Sequence, residues 1–393
     1  MSENIDSLSA FIFPKRLTFA EKYGIIPFVK SGTRRRRPSG AQRGGGNIRH
    51  AQILYTRRGK STKMDKVRVA IVGNGGIGNY HFSHLVNFSD VELVGFADPV
   101  TSKAVDMKEK AGSGEAYSDF RQMIDETKPD VVYVCVPPYC HGEIEYYIID
   151  KGLPFFVEKP MALDYDLAED ICEKAAAKNL ITGVGFQDRY QDITDKIREF
   201  IAGRKVGLVQ AAWIGGIPGV AWWRRMGTSG GQIVEQNVHL FDMCRYLFGE
   251  VKTLYCAGQR GIVDPEEYGV PGYNVHDYSS AVLTFDSGVI ANIFTACYNK
   301  GIGGIPGSGM TINCADATVE YRLRSGIRLR TADSDEQFAR QADQGVTEDR
   351  TFIDAVKSGD GSAVRSPYAD ALKTLRVCID CNESIKTGKV FCY

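Results

Sequence analysis

"KVRVAIVGNGGIGNYHFSHLV", residues 66–86, decides the fold. Its first part, Val67 to Val72, is apolar and β-branched, and it breaks on Gly73, Gly75 and Gly78. Beyond the glycines, Tyr80, Leu85 and Val86 return at helical spacing. Strand, G-x-G-x-x-G and helix in this order predict a dinucleotide turn. The first glycine permits the tight turn and the second lets a pyrophosphate approach the backbone. The third lets helix and strand pack closely, with the helix N-terminus facing the phosphates. Gly76 and Ile77, inside the turn, are expected to line the same site.

The motif alone is weak. Here a second strand, "VELVGFADP", follows and ends in Asp98, 25 residues after Gly73. A carboxylate there accepts hydrogen bonds from the adenosine ribose and repels a 2′-phosphate, which favours NAD over NADP. The alternation continues with helices over Thr101–Ala111 and near Asp119–Thr127, then the strand "DVVYVCVPP". That strand is apolar on both faces, as a central parallel strand should be. "PFFVEKP", a helix from Asp164 to Lys178 and "ITGVGF" complete a doubly wound domain assigned to residues 64–187. Ligands bind at strand C-terminal ends in such folds. Pro137, His141, Glu158, Lys159 and Gln187 fall there and are the expected cofactor-binding residues with the glycine turn and Asp98.

From Gly207 the character changes to β-rich pieces such as "LVQAAWIG", "VKTLYCAG" and "YSSAVLTFDSGVIANIFTA", with helices expected only at about 229–248, 348–358 and 367–387. Many strands with few helices imply one sheet face covered by helices and one needing other cover, usually a partner subunit. Within the first of these helices, "GGQIVEQNVHLFD" (230–242) sets Glu235, His239 and Asp242 at i, i+4 and i+7, one face of a continuous helix. Three readings stay open on the residues alone: a catalytic set, a metal site, or a solvated polar face.

These stretches resemble the glucose–fructose oxidoreductase/inositol dehydrogenase/rhizopine-catabolism (Gfo/Idh/MocA) family. The resemblance runs from about Lys66 to the end, through "AIVGNGGIG", "ADP", "VCVPPYCHGEI", "VEKPMA", "GFQDRY", "GGQIVEQNVHLFD", "FDSGVIANI" and "SPYADALKTLRVCIDCNESIKTGK". It implies an α/β chain: an N-terminal Rossmann domain, then a C-terminal α/β domain on a large, open, mostly antiparallel sheet. It further implies homodimers or homotetramers through that sheet, and redox chemistry on secondary alcohols or ketones of sugars, inositols and related polyols. Lys159 matches the family lysine between nicotinamide and substrate, Glu158 a position near the nicotinamide ribose, and His239 the histidine facing the reacting carbinol. Asp242 matches an acid that touches substrate or supports the site. Three positions depart: Glu235 where many members have Asp, Asn237 where many have Gly, and Pro138 where Asn is common.

Alcohol oxidation needs a base near neutral pH and a group that polarises the carbinol oxygen. His239 is expected as base, Glu235 as its orienter and Lys159 as polarising or relay group. Arg189 and Tyr190 are expected to grip substrate. Trp222 and Trp223 stack on a sugar or cover the cleft, or else one anchors the loop, and Asn237 shapes the pocket. His81 and His84 are read as packing and capping residues. No metal is expected: His276–Asp277 reads as a strand edge, and Cys378–Cys381 as helix packing without two further ligands. The same residues also suit an NAD-retaining glycosidase or epimerase using transient oxidation, or a non-catalytic dinucleotide sensor.

The formal charge is zero, but residues 1–63 carry 14 Lys and Arg against three acidic residues. This extension lacks aromatic interleaving, which argues against nucleic-acid reading. "MDKVRVAIVG" makes Met64 a candidate start and the extension dispensable, with a targeting segment as the alternative. No apolar run approaches the ~18 residues that span a bilayer. Ten scattered cysteines suit a reduced, cytoplasmic setting.

Overall fold

The computed structural model describes residues 66–301 and 307–393, so the expectations for residues 1–65, Met64 among them, lie outside the described residues. The first half runs β1 Val67–Val72, α1 Gly76–Leu85, β2 Val91–Ala97, α2 Thr101–Ala111, β3 Glu115–Tyr117, α3 Phe120–Thr127, β4 Val131–Val134, α4 Glu143–Asp150, β5 Phe155–Val157, α5 Tyr165–Ala177 and β6 Thr182–Val184. Asp119 and Asp164 cap α3 and α5 by accepting backbone N–H bonds, which is why those helices begin one residue later than read. All six strands are parallel, in the order β3-β2-β1-β4-β5-β6. Strand order reverses between β1 and β4, so the crevice beyond their C-terminal ends is where such a sheet takes a ligand. β3 and α4 were not assigned from the sequence.

The second half continues with α6 Asp192–Ile201, β7 Val206–Gly216, three short helices α7 Met226–Ser229, α8 Gly231–Glu235 and α9 Val238–Phe248, then β8 Val251–Gln259, β9 Tyr278–Phe285 and β10 Ile290–Asn299. Next come β11 Gly309–Cys314, β12 Ala317–Arg322, β13 Gly326–Thr331, β14 Asp335–Ala339, α10 Gln344–Ser358, α11 Tyr368–Thr387 and β15 Phe391–Cys392. Nine strands form one sheet, β14-β13-β12-β11-β7-β10-β9-β8-β15. Only β7 and β10 pair in parallel; the rest are antiparallel, as expected.

One expectation fails instructively. The helix read through residues 229–248 is broken, because the Asn237 N–H bonds back to Gln232 O at 2.8 Å, a turn one residue wider than α-helical. Asn237 is drawn into the sheet, donating to Thr295 Oγ1 (2.5 Å) and Phe294 O (3.1 Å). The i, i+4 relation of Glu235 to His239 is therefore lost. A second departure is α6, whose strong amphipathic pattern went unread.

α10 does not stay with the second sheet. Its Phe352, Ile353, Ala355 and Val356 join the apolar cluster of Ile71, Leu85, Phe96 and Tyr133 around α1. Between β8 and β9, the loop 260–277 closes on Asp277. This fully buried carboxylate accepts N–H bonds from Gly261, Ile262 and Val263 (2.8, 2.7 and 3.0 Å) and the Tyr273 hydroxyl (2.8 Å). The metal reading of His276–Asp277 thus loses its carboxylate to the loop. Asp277→Ala strands these donors, and a loss of stability on the order of 3 kcal/mol is expected in denaturant titration; an unchanged midpoint would contradict this role.

Candidate active site

The glycine turn has the geometry its sequence implies. Gly73 has φ +88°, and a Cβ there would lie 2.4 Å from Cys135 O; one on Gly78 would lie 2.1 Å from Gly73 O. Gly75 and Gly76 instead face open space, at the N-terminus of a helix that no side chain caps. Ile77 packs against the cluster beneath α1. Asp98 ends β2, its two oxygens accepting from Asn74 N and Val100 N at 2.9 Å each. Each oxygen keeps a lone pair for a ribose hydroxyl.

Across the crevice, Pro137 leads from β4 into a short 3-10 turn. His141 follows, its Nδ1 2.5 Å from Glu145 Oε1 and its buried Nε2 without a partner. After β5, the Lys159 ammonium binds Glu235 twice, at the carboxylate Oε1 (2.9 Å) and the carbonyl (2.8 Å). It also lies 5.7 Å from the ring centre of Trp223. Burial pushes the Glu235 carboxyl up to about 7 against the pull of Lys159. Its Oε2 has no partner.

His239 stacks on Trp213 with ring centres 6.0 Å apart and meets Phe186 edge-on. Its Nδ1 has no hydrogen bond, and Asp188 Oδ2 stands 3.8 Å away. Burial, then the positive charges of Arg324 and Lys159, hold this imidazole well below its ordinary pKa. A neutral ring with a free nitrogen can accept a proton. Trp222 and Trp223 stack on each other, 15° from parallel, and Tyr139 meets Trp222 edge-on. The free Glu235 Oε2, His141 Nε2, His239 Nδ1 and Trp223 Nε1 are the orphaned polar atoms a bound cofactor and polyol would satisfy.

Several expected roles need correction. Glu235 does not orient His239; the break at Asn237 turns it to Lys159. Asn237 spends its amide nitrogen on β10, which leaves only its unpartnered Oδ1 for other contacts. Arg189 is locked away, donating to Asp242 through Nε and Nη2 (2.6 Å each) and to Arg365 O (2.5 Å), beside Asp370. Asp242 is committed to Arg189 and to Thr374 Oγ1 at 2.8 Å, so this pair joins α9 and α11 instead of gripping substrate. Tyr190 is buried with its hydroxyl on Arg365 N. Glu158 turns away from the crevice to His81 Nε2 at 3.0 Å. Gln187 Oε1 accepts from Gln344 Nε2 (2.8 Å) and Tyr80 OH (3.2 Å), which ties it to α10.

The reading missed what long-range contact supplies. Asp188 stood unremarked inside "GFQDRY"; its partner Arg324, bonded at 2.7 Å, comes 136 residues later without any local signal. Trp213 could have been found as the large aromatic within the strand "LVQAAWIG". His81 and His84, read as packing and capping, both bond Asp349 at 2.7 Å. The Nδ1 atoms of both rings are spent on that carboxylate and His81 Nε2 on Glu158, whereas a tetrahedral ion would hold its ligands roughly 3.4 Å apart.

Comparison with known proteins accords with this geometry. The Gfo/Idh/MocA oxidoreductase family, with its NAD-binding Rossmann fold, matches residues 67–186, and the C-terminal domain of the same family matches residues 195–320. The chain belongs to this family. Myo-inositol 2-dehydrogenase of Thermotoga maritima is 28% identical over 312 residues, 76% of this chain and 90% of that one. D-glucoside 3-dehydrogenase of Escherichia coli is 28% identical over 224 residues, 52% of this chain and 64% of that one. The fold matches an NAD-binding oxidoreductase of Klebsiella pneumoniae, with a TM-score of 0.74, 16% identity and coverage of 84% of this chain and 99% of that one. As a Gfo/Idh/MocA member the chain is an NAD-dependent oxidoreductase, and the open faces of Gly75 and Gly76 fit the dinucleotide.

Asp98→Ala is expected to weaken NAD binding about tenfold, the worth of one good hydrogen bond, and to narrow the preference over NADP. Fluorescence titration with both nucleotides checks this; unchanged affinity and preference would remove Asp98 from the ribose site.

Proposed function

We propose that this protein oxidises a ring secondary alcohol of an inositol, sugar or related polyol, and reduces the matching ketone in the reverse direction. The observation that carries this reading is a half-buried lysine ammonium gripped by Glu235, with a neutral, unpartnered His239 nitrogen at the same crevice. The named activities of the inositol and glucoside dehydrogenase relatives support it.

When bound, the nicotinamide accepts a hydride from the carbinol carbon. The chain's own groups handle the proton. Lys159, positioned by Glu235, donates a hydrogen bond to the carbinol oxygen and stabilises developing negative charge. His239 accepts the hydroxyl proton at Nδ1, since its pKa lies low enough for the neutral ring to dominate near pH 7. Trp223 covers the lysine and, with Trp222, walls off water and offers an apolar face to a saturated ring. The dinucleotide side is assigned to Gly73, Gly75, Gly76, Ile77, Gly78, Asp98, Pro137 and His141.

The reading extends to organisation. Residues 64–187 form the dinucleotide domain and 188–393 the substrate and oligomerisation domain, with α10 crossing back to support α1. Sheet register sets Leu208 beside Ile290 and Tyr255 beside Val282, on one face with Phe294. These five side chains are exposed. An apolar sheet face of this kind is covered by a second copy in a homodimer or homotetramer. No described helix is long and apolar enough to cross a membrane, and all ten cysteines are free, which supports a cytoplasmic setting.

The test is incubation with NAD and a panel of inositols, sugars and glycosides, following NADH absorbance and products. NADH formation with one ring polyol is expected, and Lys159→Ala and His239→Ala should each lower kcat about 100-fold or more while NAD affinity stays within threefold. Near-parental rates in both variants would sink the mechanism, and product without NADH would favour transient oxidation instead.

A further inference from the structure

The loop 260–277 takes no part in the chemistry above, yet it is built as a unit. Irregular loops longer than about 12–15 residues are uncommon inside compact domains and are usually functional. This one is knotted by Asp277 and carries its own apolar cluster, Val263, Val270, Tyr273 and Val275 packed with Cys297. Ile217 and Met226 pack on that cluster. They flank the turn Trp222–Arg224 on its two sides, so the loop grips the segment that bears the paired tryptophans.

Asn274 makes the polar attachment. Its side-chain Oδ1 accepts the Met226 N–H at 2.7 Å, and its own N–H donates to Arg224 O at 3.0 Å. Arg260 Nη1 in turn donates to Asn274 O at 3.1 Å. Gly272, with φ +75°, leaves room for the Arg225 guanidinium, which a Cβ would meet at 3.2 Å. Arg224 borders a cavity of about 450 Å³ shared with Ile217, Tyr268, Val270 and Lys300. The turn is also held from within by Thr228 Oγ1 on Trp222 O (2.5 Å) and by the Arg224 guanidinium on Pro218 O and Gly219 O (2.6 and 2.9 Å); Asn274 is its hydrogen-bonded attachment to the loop 260–277. The inner side of the same turn is Trp223, lying over the Lys159 ammonium.

We propose that the loop 260–277 is a specificity element of the active site, with Asn274 the positioning residue that latches Trp222–Met226 so that Trp223 stays over Lys159. The inference rests on the polyol reading above and deepens it. A stacked pair held from behind gives the pocket a fixed wall, which selects compact ring polyols over longer or branched ones. Asn274 acts through the turn and touches neither substrate nor cofactor.

The side chain of Asn274 is exposed, so its replacement leaves the fold intact. Asn274→Ala removes the acceptor for Met226 N–H, whereas Asn274→Asp keeps it. In the Ala variant, acrylamide quenching of tryptophan fluorescence should rise at least 1.5-fold, with NAD affinity within twofold of the parent. The KM for myo-inositol or methyl β-D-glucoside, whichever the parent oxidises, should rise fivefold or more while kcat stays within twofold. The Asp variant should return both quenching and KM to within twofold of the parent. Parental quenching in Asn274→Ala, or an Asp variant as impaired as the Ala variant, would overturn the latch. If the parent oxidises neither compound, KM is read on the ring polyol that the wider panel identifies; if it oxidises none of the panel, the polyol reading is what fails, and quenching still decides the latch.

Discussion

Lys159 and Glu235 lie 76 residues apart, one at the end of a strand in the parallel sheet and the other in the broken helix over the second sheet. Their contact is the constraint on which the site depends. A buried carboxylate costs several kcal/mol in lost hydration, and close pairing with further hydrogen bonds is needed to offset this; here Glu235 is buried and Lys159 half-buried. Glu235 supplies both its carboxylate and its carbonyl to the ammonium. The balance is still close: raising Glu235 to about 7 corresponds to roughly 3 kcal/mol of unfavourable environment. Such a pair is stable enough to persist and responsive enough to answer a change of charge beside it.

The surrounding structure serves this pair. The break at Asn237 turns Glu235 toward Lys159 and leaves His239 with a free nitrogen. That break exists because Asn237 bonds β10, so the second sheet itself sets the orientation of the two side chains. The Arg189–Asp242 pair with Thr374 fixes α9, which carries His239, against α11. On the opposite side, α10 ties to α1 through Asp349, His81 and His84, and His81 draws Glu158 out of the crevice. Two neighbouring carboxylates have partners of their own, Asp188 in Arg324 and Glu158 in His81.

The parallel sheet was legible because its signals are local. Gly73 takes the tight turn and Gly78 the close helix–strand approach that a short window of sequence predicts. The open antiparallel sheet was legible from alternation and turn residues. The helix over residues 230–242 was not, since nothing in "VEQNVH" announces that Asn237 will leave the helix for a strand 57 residues away. One widened turn then misassigned Glu235. Arg189 and Glu158 were misread for a related reason: a charged residue near a site looks functional until its buried partner is known, and Asp242, Asp370 and His81 are distant in sequence. The buried carboxyl of Glu348, whose two oxygens lack partners, had no signal at all.

The central claim is that Glu235 serves Lys159 and not His239. A double-mutant cycle on kcat/KM tests it directly, with Glu235→Gln combined in turn with Lys159→Met and His239→Asn. The account predicts strong non-additivity with Lys159, the double variant being scarcely worse than Lys159→Met alone, and near-additive losses with His239. Coupling of Glu235 to His239, with additive losses at Lys159, would contradict it.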